Sequence, residues 1–89
     1  MIEREFSIVN KRGLHARAAA RFVHLASTFE CDVVVSHDSE EADGKSILSL
    51  MVLGAGPGTT VKIRAAGRDE TEAIDKLGAL IGGGFEEHD

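Results

Sequence analysis

The residues best placed to do chemistry in this chain are Gly13-Leu14-His15-Ala16-Arg17-Ala18-Ala19-Ala20. A glycine precedes a histidine, an arginine follows, and the alanines open a helical pattern. The histidine therefore stands at a helix start. N–H groups in a helix's first turn have no intrahelical acceptor, and the macrodipole adds roughly half a positive charge there. Such an end suits a phosphate or another anion. A neutral imidazole with a bare nitrogen can accept a phosphoryl group. The helix end and nearby arginines both disfavour the imidazolium, which keeps His15 nucleophilic and makes it a good leaving group later. Phosphoryl transfer otherwise needs positioning, and charge against the equatorial oxygens. Arg17 and the N–H groups of Ala16, Arg17 and Ala18 are the candidates to supply these.

Arg17 and Arg21 are one turn apart and share a face, and Lys11 and Arg12 lie just upstream. An exposed cation near a helix N-terminus costs about 0.3–1 kcal/mol, so a helix chosen only for stability would carry Asp or Glu here. An anion that comes and goes would explain the arrangement. A solvated basic face with a surface histidine would also explain it, and spacing alone leaves both open. Zinc needs several Cys or His ligands at short spacing, and His15, His24, Cys31 and His37 show no such pattern. No metal and no other cofactor is expected, and no Ser-His-Asp arrangement is evident.

These residues sit in a chain of 89, which reads as one domain, residues 1–89. A chain of this size buries about 60–65% of its unfolded surface, so the core is modest. With 43% hydrophobic and 28% charged residues it has the composition of a globular protein. A net charge of −5 argues against nonspecific nucleic-acid binding and isolates the basic cluster from Lys11 to Arg21 as a local exception. One cysteine, Cys31, excludes an internal disulfide and fits a reducing cytosol. Beside a valine run, it reads as a small strand residue rather than a reactive thiol. The acid-bearing start Met1-Ile2-Glu3-Arg4-Glu5 is not expected to be a signal peptide. The apolar run Ile47 to Ala55 is too short to span a bilayer. A cytoplasmic location with no membrane insertion is the expectation.

The elements that must position the site follow from periodicity. Ile2, Arg4, Phe6 and Ile8 alternate with polar residues and predict a strand. Asn10-Lys11-Arg12-Gly13 is a loop. Ala16, Ala19, Ala20, Val23 and Ala26, with Phe22 on the edge, predict a helix lying close to a sheet; Arg17, Arg21 and His24 form its polar face. Asp32 to Ser36 is β-branched and predicts a strand. His37-Asp38-Ser39 is read as a turn, and Glu40 to Asp43 as a short edge strand. Ser46 is an N-cap for a helix from Ile47 to Leu53, and Gly54 ends it. Thr60 to Ala65 alternates as a strand. Asp69, with Glu72 in capping-box position, starts a last helix, whose core stripe is Ala73, Ile74, Leu77, Leu80 and Ile81. Gly82-Gly83-Gly84 stops it, and Phe85 to Asp89 reads as an acidic tail. The order β-α-β-β-α-β-α implies an α+β fold of two layers.

Gly13-Leu14-His15-Ala16-Arg17, then Lys45-Ser46-Ile47-Leu48 and Leu53-Gly54-Ala55, resemble the HPr family over nearly the whole chain. These are the histidine-containing phosphocarriers of the bacterial phosphotransferase system, together with the related carriers of its nitrogen branch. The resemblance implies an open-faced β-sandwich, with a four-stranded antiparallel sheet covered on one face by three helices. It implies a carrier, not an enzyme, that takes a phosphoryl group on His15 Nδ1 from enzyme I and passes it to A-type components. Whether that serves sugar uptake or nitrogen-type regulation stays open. A module that only senses an anion is the rival of a different class. The resemblance also makes Ser46 a regulatory site for an HPr kinase/phosphorylase. It puts partner docking on Leu14, Arg21, Ile47, Leu48 and Met51, where Leu50 and Leu53 serve the core from the other side of the helix. Monomer is the default assembly. One departure is visible: Ala18 stands where the family often has proline. Its loss frees the first turn without removing the chemistry.

Overall fold

The computed structural model describes residues 1–87. Strand β1 (Ile2–Ser7) leads through a loop to helix α1 (Ala16–Ala26), strand β2 (Asp32–His37), strand β3 (Glu40–Asp43), helix α2 (Ile47–Leu53), strand β4 (Thr60–Ala66) and helix α3 (Glu70–Gly82). The four strands form one antiparallel sheet in the order β1-β4-β2-β3. The chain termini of the sheet order, β1 and β3, are the edges. The sheet's inner face carries Val33 and Val35 of β2, Ala42 of β3, and Val61, Ile63 and Ala65 of β4, all buried. Its outer face is polar: Lys62 and Arg64 lie 3.8 and 3.9 Å from Glu3, and Arg64 also reaches Glu41. Alternation with period 2 gives each strand these two faces.

The three helices cover the inner face. In α1 the buried residues are Ala18, Ala19, Phe22 and Ala26, whereas Ala16 is exposed and Ala20 and Val23 are half-buried. The expected stripe is thus rotated, and Phe22 lies at its centre rather than its edge. The reason is volume: one phenyl ring fills the interior where an alanine would not. Phe22, Leu14, Leu50, Ile81 and Phe85 meet Val35 and Val61 of the sheet around one small interior gap. The α1 backbone lies close to α2 and α3, and Phe22 carries the contact of α1 with the sheet.

Other elements differ from expectation in detail. His37 is the last residue of β2 and not part of the turn, which begins at Asp38 in the left-handed region (φ 56). Ile8 is buried just beyond the end of β1, while Arg4 stays at the exposed edge and donates to Asp75 Oδ1 on α3 at 2.9 Å. Cys31 is buried just before β2 instead of within it, and burial pushes its thiol up from the ordinary range. Asp69 holds the N-cap position of α3 but makes no side-chain cap bond, and Glu70 accepts the N–H of Gly67 at 3.0 Å just before the helix. The Asp69 carboxylate instead accepts from the N–H groups of Glu30 and Cys31, at 2.8 and 2.9 Å. It ties the α1–β2 connection to the start of α3, a long-range demand that outcompetes the local cap.

These N–H donors, Glu30 first, hold the Asp69 carboxyl below the usual carboxylate range. A carboxylate favoured in the fold stabilises it above the unfolded value of about 4, and that contribution is lost as pH falls through and below it. Asp69→Asn should therefore lower the melting temperature at pH 7 and flatten the acid-induced loss between about pH 5 and pH 2. Thermal melts of both proteins across that range check this; parallel curves would remove Asp69 from the acid response.

Candidate functional site at the start of the first helix

The site is built by a loop pressed against another loop. Gly13 has φ 66, and a Cβ there would stand 2.6 Å from the Ala55 carbonyl oxygen and 2.9 Å from Gly56 Cα. Only glycine fits both the left-handed backbone and the space. The next N–H, that of Leu14, donates to that same Ala55 oxygen at 2.8 Å. The chain then turns extended at His15 (φ −88, ψ −177), which is the N-cap of α1 and accepts from Ala19 N at 2.8 Å through its own carbonyl. Asn10 braces the loop from within. It is buried, and its amide donates to Gly13 O at 2.8 Å.

The imidazole does the capping. His15 Nδ1 accepts the N–H of Arg17 at 3.3 Å. A ring nitrogen that accepts a hydrogen bond carries its lone pair, so in the neutral ring the proton sits on Nε2. The N–H groups of Ala16 and Ala18 belong to the same first turn and have no intrahelical acceptor. Nδ1 therefore points where the helix concentrates positive potential. The Arg17 side chain is exposed. It lines a groove with Arg21 and His24 of α1, Leu80 of α3, and Glu86. Arg21 is half-buried and donates to the Phe85 carbonyl. Ala18 is buried completely, so its methyl belongs to the core.

Two expectations about the surroundings change. Leu14, placed on the docking surface, is buried in the core because its N–H is anchored inward on Ala55. The segment from Phe85 is not a solvated acidic tail over the described residues; His88 and Asp89 lie outside them. Gly84, Phe85 and Glu86 all have left-handed backbone (φ 68, 57 and 64), which folds the chain back onto α1. Phe85 is fully buried. Glu87 comes to rest on His15, its Oε2 against Nε2, and its Oε1 accepts from Asn10 Nδ2 at 2.9 Å. The Asn10 amide, then the His15 ring, hold the Glu87 carboxyl below the usual range. Asn10 Oδ1 is buried without a partner among the described residues, at a typical cost of about 1–3 kcal/mol. Sequence reading missed Asn10 and Glu87. The one available signal was Phe85, a large apolar residue in an otherwise polar end.

The second group of interest lies on α2. Ser46 caps it, its Oγ accepting from Ser49 N at 3.2 Å, and Gly54 ends it in the left-handed region (φ 64). Leu50 and Leu53 are buried, while Ile47, Leu48 and Met51 are exposed and Val52, not anticipated, is 73% exposed. Apolar groups left in water this way form a patch suited to a partner. Among the described residues no group of three or more His, Cys, Asp or Glu is gathered to hold a metal ion, and no helix is long and apolar enough to cross a membrane.

Comparison with known proteins agrees with this architecture. The sequence model of the PTS HPr component phosphorylation site matches residues 2–82. The chain is 47% identical over 88 residues, 98% of each chain, to phosphocarrier protein HPr of Pseudomonas putida. It is 37% identical to phosphocarrier protein NPr of Shewanella violacea, over 97% of this chain and 94% of that one. The crystal structure of HPr-C-His from Thermoanaerobacter tengcongensis superposes with a TM-score of 0.95 at 45% identity, covering all of both chains. A helix-capping histidine on an open-faced sandwich, with these matches, defines a histidine phosphocarrier architecture. The chain belongs to the HPr family of the phosphotransferase system.

The Gly13 contact sets the geometry of the site, and it is testable. Gly13→Ala must move the backbone of Ala55 or leave the left-handed region. It should destabilise the fold by about 2 kcal/mol or more. Denaturant unfolding checks this; a loss under about 0.5 kcal/mol would mean the two loops are not held in register here.

Proposed function

We propose that this protein is a stoichiometric phosphocarrier, not an enzyme. It accepts a phosphoryl group on His15 from enzyme I, in a phosphoenolpyruvate-dependent relay, and passes it to A-type components. One observation carries the reading. Nδ1 of His15 is bare and faces an N–H of the first turn of α1. When phosphorus bonds to Nδ1, the phosphoryl oxygens can take over the first-turn N–H groups of Ala16, Arg17 and Ala18. Arg17, exposed beside the turn, is the guanidinium that offsets their charge. A module that merely sensed an anion would need no ring nitrogen at this spot. Membership of the family supports partners of the phosphotransferase kind. The test is phosphorylation by enzyme I and phosphoenolpyruvate: the wild type should gain one acid-labile phosphate, and His15→Ala none while keeping its fold. Full labelling of the alanine variant would overturn the assignment.

Partner docking is assigned to Ile47, Leu48 and Met51, joined by Val52, with Arg21 flanking the histidine. Ser46 is assigned as a regulatory phosphorylation site for an HPr kinase/phosphorylase. Its phosphate would sit at a helix N-terminus, which tolerates the charge, and directly beside Ile47. There it would resist desolvation against an acidic partner. Ser46→Asp should raise the KM for this protein in the enzyme I assay about tenfold with a small change in melting temperature. An unchanged KM would contradict a docking block.

A further inference from the structure

We propose that Glu87, braced by Asn10, is a positioning residue that keeps the His15 ring proton on Nε2 and so leaves Nδ1 as the nucleophile. The inference rests on the reading of His15 as phosphoryl acceptor. The two ring nitrogens have opposed environments. Nδ1 meets a donor, the Arg17 N–H. Nε2 meets an acceptor, the Glu87 carboxylate. Both select the same tautomer, and a carboxylate on the far nitrogen is how a histidine's orientation and proton are commonly fixed.

The carboxylate is itself held. Asn10 donates to Glu87 Oε1 and to Gly13 O, joining the segment after α3 to the loop that carries the histidine. Phe85 anchors the segment in the core, and Arg21 donates to its carbonyl. Phe85 and Glu86 accept left-handed backbone to make the fold-back, a conformation that non-glycine residues keep only where surroundings enforce it. This is more construction than a trailing acidic end requires.

The chemistry then needs no proton transfer. The Nδ1 lone pair forms the new P–N bond, and the bond from phosphorus to the donor breaks, its electron pair leaving with the donor. The proton stays on Nε2. The ring is now a phosphorylated imidazolium, and the Glu87 carboxylate faces its positive charge. On passing the group to an acceptor the P–N electrons return to Nδ1, and the neutral ring is restored with its proton in place. Arg12 is the other charge that acts on Glu87; it helps keep the carboxylate ionised.

The test uses the full chain. Nitrogen-15 NMR of the unphosphorylated protein should show the neutral His15 ring protonated on Nε2. Glu87→Ala should give a mixture of tautomers and slow single-turnover phosphorylation by enzyme I about tenfold or more. Glu87→Gln, whose amide oxygen can still accept from Nε2, should restore the tautomer and only part of the rate. An unchanged tautomer in Glu87→Ala overturns the proposal. So does an unchanged or increased rate, which would make the segment a cover over the ring. A wild type that takes no phosphoryl group would instead defeat the carrier reading, and the ring spectrum would still judge Glu87's hold on the proton.

Discussion

The N–H of Arg17 directed at Nδ1 of His15 is the contact on which the site depends. It makes a side chain the cap of α1, and that side chain is the one proposed to carry the phosphoryl group. Histidine is a poor choice of cap beside Ser, Thr, Asp or Asn, so the helix surrenders some stability to hold an imidazole there. What makes the placement reproducible is outside the helix. Gly13 in a left-handed conformation and the Leu14 N–H on Ala55 fix the approach, and Leu14 itself is buried as a peg. The loop after α2 thus serves the start of α1, and the helix that exposes Ile47, Leu48, Met51 and Val52 is tied to the helix that carries the histidine.

Electrostatics here run against local helix stability. The first turn of α1 contains no acid, and Arg17 and Arg21 extend the positive charge of the dipole. The protein as a whole is acidic, with a net charge of −5. A positive spot on a negative surface focuses attraction for anions at that spot. Two carboxylates enter the positive region: Glu86 lines the groove beside Arg17 and Arg21, and Glu87 meets the ring at Nε2, away from the nitrogen that caps the helix. The helix end and the Glu87 carboxylate thereby face different ring nitrogens.

Much of this was legible in residue order. The strands and helices follow from period-2 and 3.6-residue patterns because each element buries one face, and Ser46 and Gly54 mark α2 by their own backbone chemistry. The Gly-Leu-His-Ala-Arg run placed the histidine. What escaped has a common cause, contacts between residues far apart in sequence. Asp69 looked like a local cap and serves Glu30 and Cys31 instead. Leu14 looked like surface beside His15 and is drawn inward by Ala55. Phe85 to Glu87 looked like a solvated end because charge outweighed one phenylalanine, yet that ring decides where the following carboxylate lands. Strand order likewise depends on pairing between distant segments: the resemblance implied the four-stranded antiparallel sheet, and the order β1-β4-β2-β3 came with the structure.

The most direct measurement of the central claim is the phosphorus–nitrogen coupling in the nitrogen-15-labelled, phosphorylated protein. A coupling from phosphorus to Nδ1 of His15, with a large shift of the Arg17 amide resonance as its acceptor changes from ring to phosphate, is the predicted result. A coupling to Nε2, or to the ring of another histidine, would contradict the account.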